Sequence, residues 1–205
     1  VAVWCACCLL PTTYGMSERL LGAIVGIHGD DKGLVLPPEV SPFQVVIIPI
    51  LSKDRADEIL EVCDNIRTEL KKSGVRCKLD SRDVRPGQKY YDWEIKGVPL
   101  RLEVGPRDVD NGTVMSVGRI GGKVPLKISD LPTEVIELLD KFQAQLLLNS
   151  KQITNESIIR VKEISVLNNI SDDSKLIYEI AFDGSDAEAE ELEKITGMTF
   201  LGDAM

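Results

Sequence analysis

After Gln44 the chain runs Val45, Val46, Ile47, Ile48, Pro49, Ile50 without a polar position. A continuous apolar run of that length is the pattern of a strand covered on both faces. The apolar period then changes. Ala56, Ile59, Cys63, Ile66 and Leu70 recur every three or four residues, which predicts a helix ended by Gly74 and capped by Ser52 or Asp54. Val75, Cys77 and Leu79 alternate and predict a second strand. Strand, helix and strand at this spacing make a parallel unit with a right-handed crossover.

Arg85-Pro86-Gly87 opens a second helix, because proline suits the first helical position, and Gly97 closes it. A strand over residues 100–104 follows. Leu100, Leu102 and Val104 face one way, Arg101 and Glu103 the other. Asn111-Gly112 signals a hairpin turn. Strands are predicted over residues 113–117 and 123–128, then a long helix from Pro132 with Val135, Leu138, Leu139, Phe142 and Leu146 inward. The expected fold class for residues 42–150 is therefore α/β, a mixed five-stranded sheet with about three flanking helices.

The flanks read differently. In residues 12–27 Gly15 marks a turn and Ser17 a helix cap. Leu20, Leu21, Ile24 and Val25 form an apolar stripe, with Gly22, Ala23 and Gly26 allowing close packing, so Arg19 is expected at the base of a buried helix. Residues 34–42 are proline-rich and read as a junction or semi-rigid linker that closes an N-terminal segment, residues 1–41. Residues 151–205 form a small acidic α/β appendage. Its predicted strands are residues 157–167 and 175–182, and its helix is opened by a Ser185/Glu188 capping box and stopped at Gly197.

Composition narrows the function. A hydrophobic share of 43% supports a real core, and a net charge of -9 argues against a generally basic nucleic-acid coat. The charge is uneven. Residues 71–107 carry ten cations against five acids, a local patch suited to one polyanion site. Five cysteines, an odd number without regular spacing, argue against a disulfide framework; Cys63 and Cys77 read as core thiols. Cys5, Cys7 and Cys8 match no zinc spacing, and no cysteine follows Cys77, so no zinc is expected. No apolar run reaches membrane-spanning length and the start lacks a charged signal region, so a cytoplasmic protein without membrane contact is expected. The single histidine, His28, has no nucleophile arranged beside it and is a poor general base.

The basic patch has a defined local chemistry. Arg82, Arg85 and Lys89 surround a helix N-terminus, a combination that suits phosphates. Arg101 with Glu103 on a neighbouring strand puts a carboxylate among cations, which suits a group with hydrogen-bond donors such as a base edge. Two functions fit these residues: a free-standing module binding RNA or protein without catalysis, and a doubly wound nucleotide-binding enzyme. The last lacks a glycine-rich loop after its first strand, where Ser52-Lys53-Asp54 makes a poor phosphate cradle.

Three stretches resemble one family, the prolyl-tRNA synthetases of archaeal and eukaryotic type. TTYGMSERLLGAI resembles motif 3 of the class II catalytic domain, HGDDKGLVLPP the junction after it, and RPGQKYYDWEIKGVPLRLEVGPRD the class IIa anticodon-binding domain. The resemblance implies that residues 1–41 end a catalytic domain and residues 42–150 bind the anticodon. It implies that Arg19 and Gly15 meet ATP, with Gly22 and Ala23 close by. It further implies that Arg82, Arg85, Lys89, Arg101, Glu103 and Arg107 meet the two guanines of the proline anticodon. In the complete enzyme it implies ATP with magnesium, a proline-accepting tRNA and a homodimer formed through the catalytic domain. Motifs 1 and 2 and the proline pocket are not in this sequence, so the part at hand is expected to be inactive alone.

Overall fold

The computed structural model describes residues 15, 17–52, 54–161, 177–180, 182, 184–197 and 199. The chain divides into two compact units, Val1–Leu146 and Leu147–Met205.

The first unit is built on a sheet of five strands in the order β2-β1-β3-β4-β5: β1 Val45–Pro49, β2 Cys77–Leu79, β3 Leu100–Val104, β4 Thr113–Gly118 and β5 Lys123–Lys127. β1 pairs in parallel with β2 and β3; β4 and β5 continue antiparallel. The mixed sheet expected from the pattern is present. β1 is buried at every position, as its unbroken apolar run requires.

Helix α2, Ala56–Lys72, and the first part of α5, Leu131–Ser157, cover one face. Ile59, Cys63, Ile66 and Leu70 of α2 meet Leu100, Leu102 and Val104 of β3 and Val135 and Leu139 of α5 there. Helix α3, Pro86–Ile95, covers part of the other face, with Trp93 and Val98 packed on Val46 and Ile48. The crossover from β1 to β2 through α2 and that from β2 to β3 through α3 thus lie on opposite faces, and the sheet's topological switch falls between β1 and β3.

Three expectations need correction. Asn111-Gly112 is not a hairpin turn. A short helix, α4 Pro106–Asn111, joins β3 to β4, and Gly112 ends it in the left-handed conformation at φ 64°. The same glycine freedom serves a hairpin or a helix end, so the dipeptide alone does not choose. Neither Ser52 nor Asp54 caps α2; Arg55 stands at the cap without a side-chain cap bond and pairs instead with Glu58 and Asp110. Residues 34–42, expected as a junction or semi-rigid linker, are tied to the sheet unit. Leu34 and Leu36 donate to Ile95 and Gly97 carbonyls, Val35 packs on Phe142 and Leu146, and Arg76 holds the Pro38, Glu39 and Ser41 carbonyls. Finally, helix α1, Arg19–His28, has no buried residue. Leu20, Leu21, Val25 and Ile27 are exposed, and Glu18 rather than Ser17 stands at its cap. Periodicity marks an apolar face but not what covers it.

In the second unit β6 Ile158–Val161 and β7 Ile177–Ile180 pair in parallel, and α6 is Asp186–Thr196. The Glu188 carboxylate accepts from the Ser185 backbone and hydroxyl, and Gly197 closes α6 at φ 69°. Helix α5 runs to Ser157, past the break expected at Ser150, since no glycine or proline interrupts it there. The expected strand ends beyond Val161 and before Ile177 lie outside the described residues, as do Cys5, Cys7 and Cys8.

Candidate nucleic-acid interface

Period-two alternation on β3 puts Arg101 and Glu103 on the face opposite the α2 core. Strand register places Val46 and Ile48 beside them on one side and Val117 and Met115 on the other, with Lys123 and Pro125 of β5 next in line. Helix α3 covers the β1 end of this face. The β4–β5 end stays partly open: Met115 and Val117 are half-buried, and Lys123 and Pro125 are exposed.

At the centre, Arg101 Nε donates to Glu103 Oε1 at 2.9 Å, and Lys123 Nζ lies 3.8 Å from Glu103 Oε2. The Arg101 guanidinium stacks on the Tyr90 ring, 4.1 Å from its centroid. Burial, and then the Glu103 charge, push the Tyr90 phenol pKa upward. The Glu103 side chain is 8% exposed, that of Arg101 18% and that of Lys123 62%. A small cavity of about 90 Å³ opens beside Arg101, walled by Val46, Trp93, Val98 and Val117 with Glu94 and Arg119 at its rim. The arrangement offers a planar cation on an aromatic base, held by a carboxylate, next to a small recess with both apolar and charged lining. That chemistry suits a flat heterocycle with hydrogen-bond acceptors.

The start of α3 is less open than the sequence implies. Asp80, at the end of β2, is buried and takes two bonds from Arg82, Nε to Oδ1 at 2.9 Å and Nη2 to Oδ2 at 2.7 Å. Trp93 Nε1 donates to the same Oδ2 at 2.7 Å. Burial alone would raise the Asp80 pKa, but these donors outweigh it and hold the carboxyl well below the usual range. Arg82 also pairs with Asp92, and the two carboxylates, Asp80 first, push its pKa up.

Lys89 requires a correction. It is 2% exposed, and its ammonium donates to the Asp80 carbonyl at 3.0 Å. It pins α3 to the end of β2 and does not face solvent as a phosphate contact. Charge pattern counts a lysine near a helix N-terminus as a surface cation, and only the fold shows where its stem goes.

The remaining expected residues fall in three places. Arg85, at the cap of α3, and Arg107, in α4, are exposed and have no ion-pair partner among the described residues. Arg101 and Glu103 form the platform. Arg19 and Gly15 are exposed at and before α1, and a Cβ on Gly15 or Gly22 would meet nothing within 4 Å. Among the described residues no group of three or more His, Cys, Asp or Glu is placed to hold a metal, and no helix is long and apolar enough to cross a membrane.

Sequence reasoning missed Asp80, Tyr90, Lys123 and Arg119. Arg119 is 3% exposed at its side chain and donates to the Leu34 and Glu94 carbonyls and to Asp30. That ion pair brings the Asp30 pKa down to about 2. A usable signal existed for Tyr90 alone, which stands three positions from Trp93 on a helix next to the Arg101 strand.

Residues 44–138 match the anticodon binding domain family. Over 191 residues the chain is 42% identical to a proline–tRNA ligase of Methanocorpusculum labreanum, covering 93% of this chain and 40% of that protein. Over 112 residues it is 56% identical to a proline–tRNA ligase of Methanosarcina mazei, 55% of this chain and 23% of the relative. A prolyl-tRNA synthetase of Cryptosporidium parvum, solved with L-proline and AMP, superposes with a TM-score of 0.81 at 42% identity. It covers 87% of this chain and 37% of its own. The chain thus spans about two-fifths of the length of these curated relatives.

Proposed function

Because the chain belongs to the prolyl-tRNA synthetase family, as its C-terminal part with the anticodon-binding domain, we propose that it binds proline-accepting tRNA through the anticodon. Binding here serves ATP-dependent attachment of proline. One observation carries the proposal: Arg101, stacked on Tyr90 and braced by Glu103, stands beside a small recess of mixed polarity, with the exposed Lys123 on the far side of the same carboxylate.

The work divides between two kinds of contact. Arg85, Arg107 and Lys123 reach phosphates, which gives affinity without sequence preference. Arg101 reads guanine O6 and N7, an interaction that its planar fork suits. Arg82 stays with Asp80 and Asp92 and shapes the start of α3. Lys89 does the same from inside the fold.

In the complete enzyme Arg19 of α1 contacts ATP and Gly15 leaves its backbone open to the nucleotide. ATP is used with magnesium, and no zinc is held by this chain. The complete protein is a cytoplasmic homodimer joined through its catalytic domain. Alone, the 205 residues do not form prolyl-adenylate, because in-line attack requires several groups to orient both reactants.

The test is binding of the chain to a proline-accepting transcript and to one with its anticodon guanines replaced. Clear preference for the first is expected. Equal binding would defeat the anticodon reading and favour a module that binds nucleic acid without reading sequence.

A further inference from the structure

Glu103 looks from its chemistry like a base reader, since a carboxylate can accept from a guanine edge. Its surroundings say otherwise. The side chain is 8% exposed. One oxygen is taken by Arg101 Nε at 2.9 Å, the other faces Lys123 Nζ at 3.8 Å, and Tyr90 adjoins the same carboxylate. A base could reach Glu103 only by displacing Arg101 from both its carboxylate and its aromatic support. That would leave a nearly buried cation unpaired, which costs more than a single base contact returns.

The two cations beside it are disposed differently. Arg101 bonds the carboxylate through Nε, the inner edge of its guanidinium, and its Nη atoms have no hydrogen-bond partner among the described residues. Lys123 comes from the far side, on β5, and is 62% exposed. The carboxylate stands between them and limits their mutual repulsion on one narrow strip of sheet.

We propose that Glu103 is a positioning residue, an anionic bracket that aims Arg101 at a guanine and Lys123 at a neighbouring phosphate, and that it does not itself touch the RNA. This rests on the anticodon reading above.

The experiment is a double-mutant cycle on the full chain with Arg101→Ala, Glu103→Gln and the pair, each measured against a proline-accepting transcript and its guanine-replaced counterpart. Glu103→Gln should lower the preference for guanine by about tenfold, and adding it to Arg101→Ala should change nothing further. Lys123→Ala, at an exposed site, should leave the preference intact and reduce the salt slope by about one. Additive losses in the cycle, with wild type still preferring guanine, would overturn the bracket and make Glu103 a reader. An unchanged salt slope in Lys123→Ala would overturn the phosphate contact. Wild type without preference would instead defeat the anticodon reading, and this inference with it.

If Glu103→Gln does not fold, nitrogen-15 spectra of the wild-type arginine Nε–H decide the point. The carboxylate-bonded Arg101 signal should persist when RNA binds. Its loss on binding would overturn the proposal.

Discussion

Asp80 and Trp93, thirteen residues apart, meet at 2.7 Å, the indole N–H donating to a carboxylate that is 2% exposed. This bond, with Lys89 on the Asp80 carbonyl, fastens α3 to the end of β2. The Tyr90 ring that supports Arg101 therefore rides on a fixed helix. Removing the carboxylate strands a buried indole donor. Asp80→Ala should cost roughly 2–3 kcal/mol in urea unfolding, the lower part of the range for a broken buried pair because Arg82 is nearly half exposed. A loss under about 0.5 kcal/mol would mean that α3 is held elsewhere.

The same carboxyl gives stability a pH dependence. Its folded pKa lies below the unfolded value of about 3.9. Between the two values the unfolded chain binds the extra proton, so stability rises with pH there. The contribution is complete above about pH 4 and fades as pH falls through the folded value. Urea midpoints of wild type should drop with acid more steeply than those of Asp80→Asn. Parallel acid limbs would contradict the assignment.

The sheet was readable because its strands are set by local pattern: the unbroken run of β1, the alternation of β3, the stripe of α2. What stayed hidden depends on partners distant in the chain. Nothing near Lys89 announces that its ammonium will sit on the Asp80 carbonyl, or near Arg119 that it will clasp Asp30 and Leu34. Helix α4, at six residues, is too short to show a period. Arg85 and Arg107 are exposed, and each stands beside a helix-starting proline, a signal that local sequence does carry.

Two glycines with nearly equal backbone angles should behave differently when given a methyl group. Gly97 has φ 70°, and a Cβ there would lie 2.7 Å from the Leu34 carbonyl. Gly112 has φ 64° with nothing within 4 Å. Gly112→Ala should cost about 1 kcal/mol, the backbone term alone. Gly97→Ala should cost about 3 kcal/mol or more, since strain and collision with Leu34 combine. Equal thermal shifts would show that the Leu34 segment yields.

Arg119 should be irreplaceable by lysine. Its fork serves the Leu34 carbonyl at 3.1 Å, the Glu94 carbonyl at 3.2 Å and Asp30 Oδ2 at 2.9 Å. One ammonium cannot span those acceptors. Arg119→Lys and Arg119→Ala should both lose about 2–3 kcal/mol. Both should speed hydrogen exchange at the Leu34 and Leu36 amides. Wild-type protection at those amides in Arg119→Lys would refute the clasp.

Buried thiols should be inert until the fold opens. Burial pushes the Cys63 pKa up to about 12 and raises that of Cys77 as well. Neither offers a thiolate near neutral pH. Alkylation with peptide mapping should leave both unmodified in native protein and label both in urea. Labelling of Cys63 in native protein at the rate of a free thiol would place it outside the core.

Affinity and specificity should come apart at the RNA interface, and the buried lysine provides the control. Arg85 is exposed at the cap of α3, so Arg85→Ala should weaken both transcripts alike and reduce the salt slope by about one. Arg101 faces the recess, so Arg101→Ala should cost roughly 1–3 kcal/mol with the proline-accepting transcript and far less with the guanine-replaced one. Lys89, with its ammonium on the Asp80 carbonyl, is no phosphate contact; Lys89→Met should lower stability and leave the salt slope of the folded protein unchanged. The three variants therefore separate along three axes: salt slope, base preference and folding. Should Lys89→Met reduce the salt slope as Arg85→Ala does, the lysine must reach RNA, and the helix start would have to open on binding.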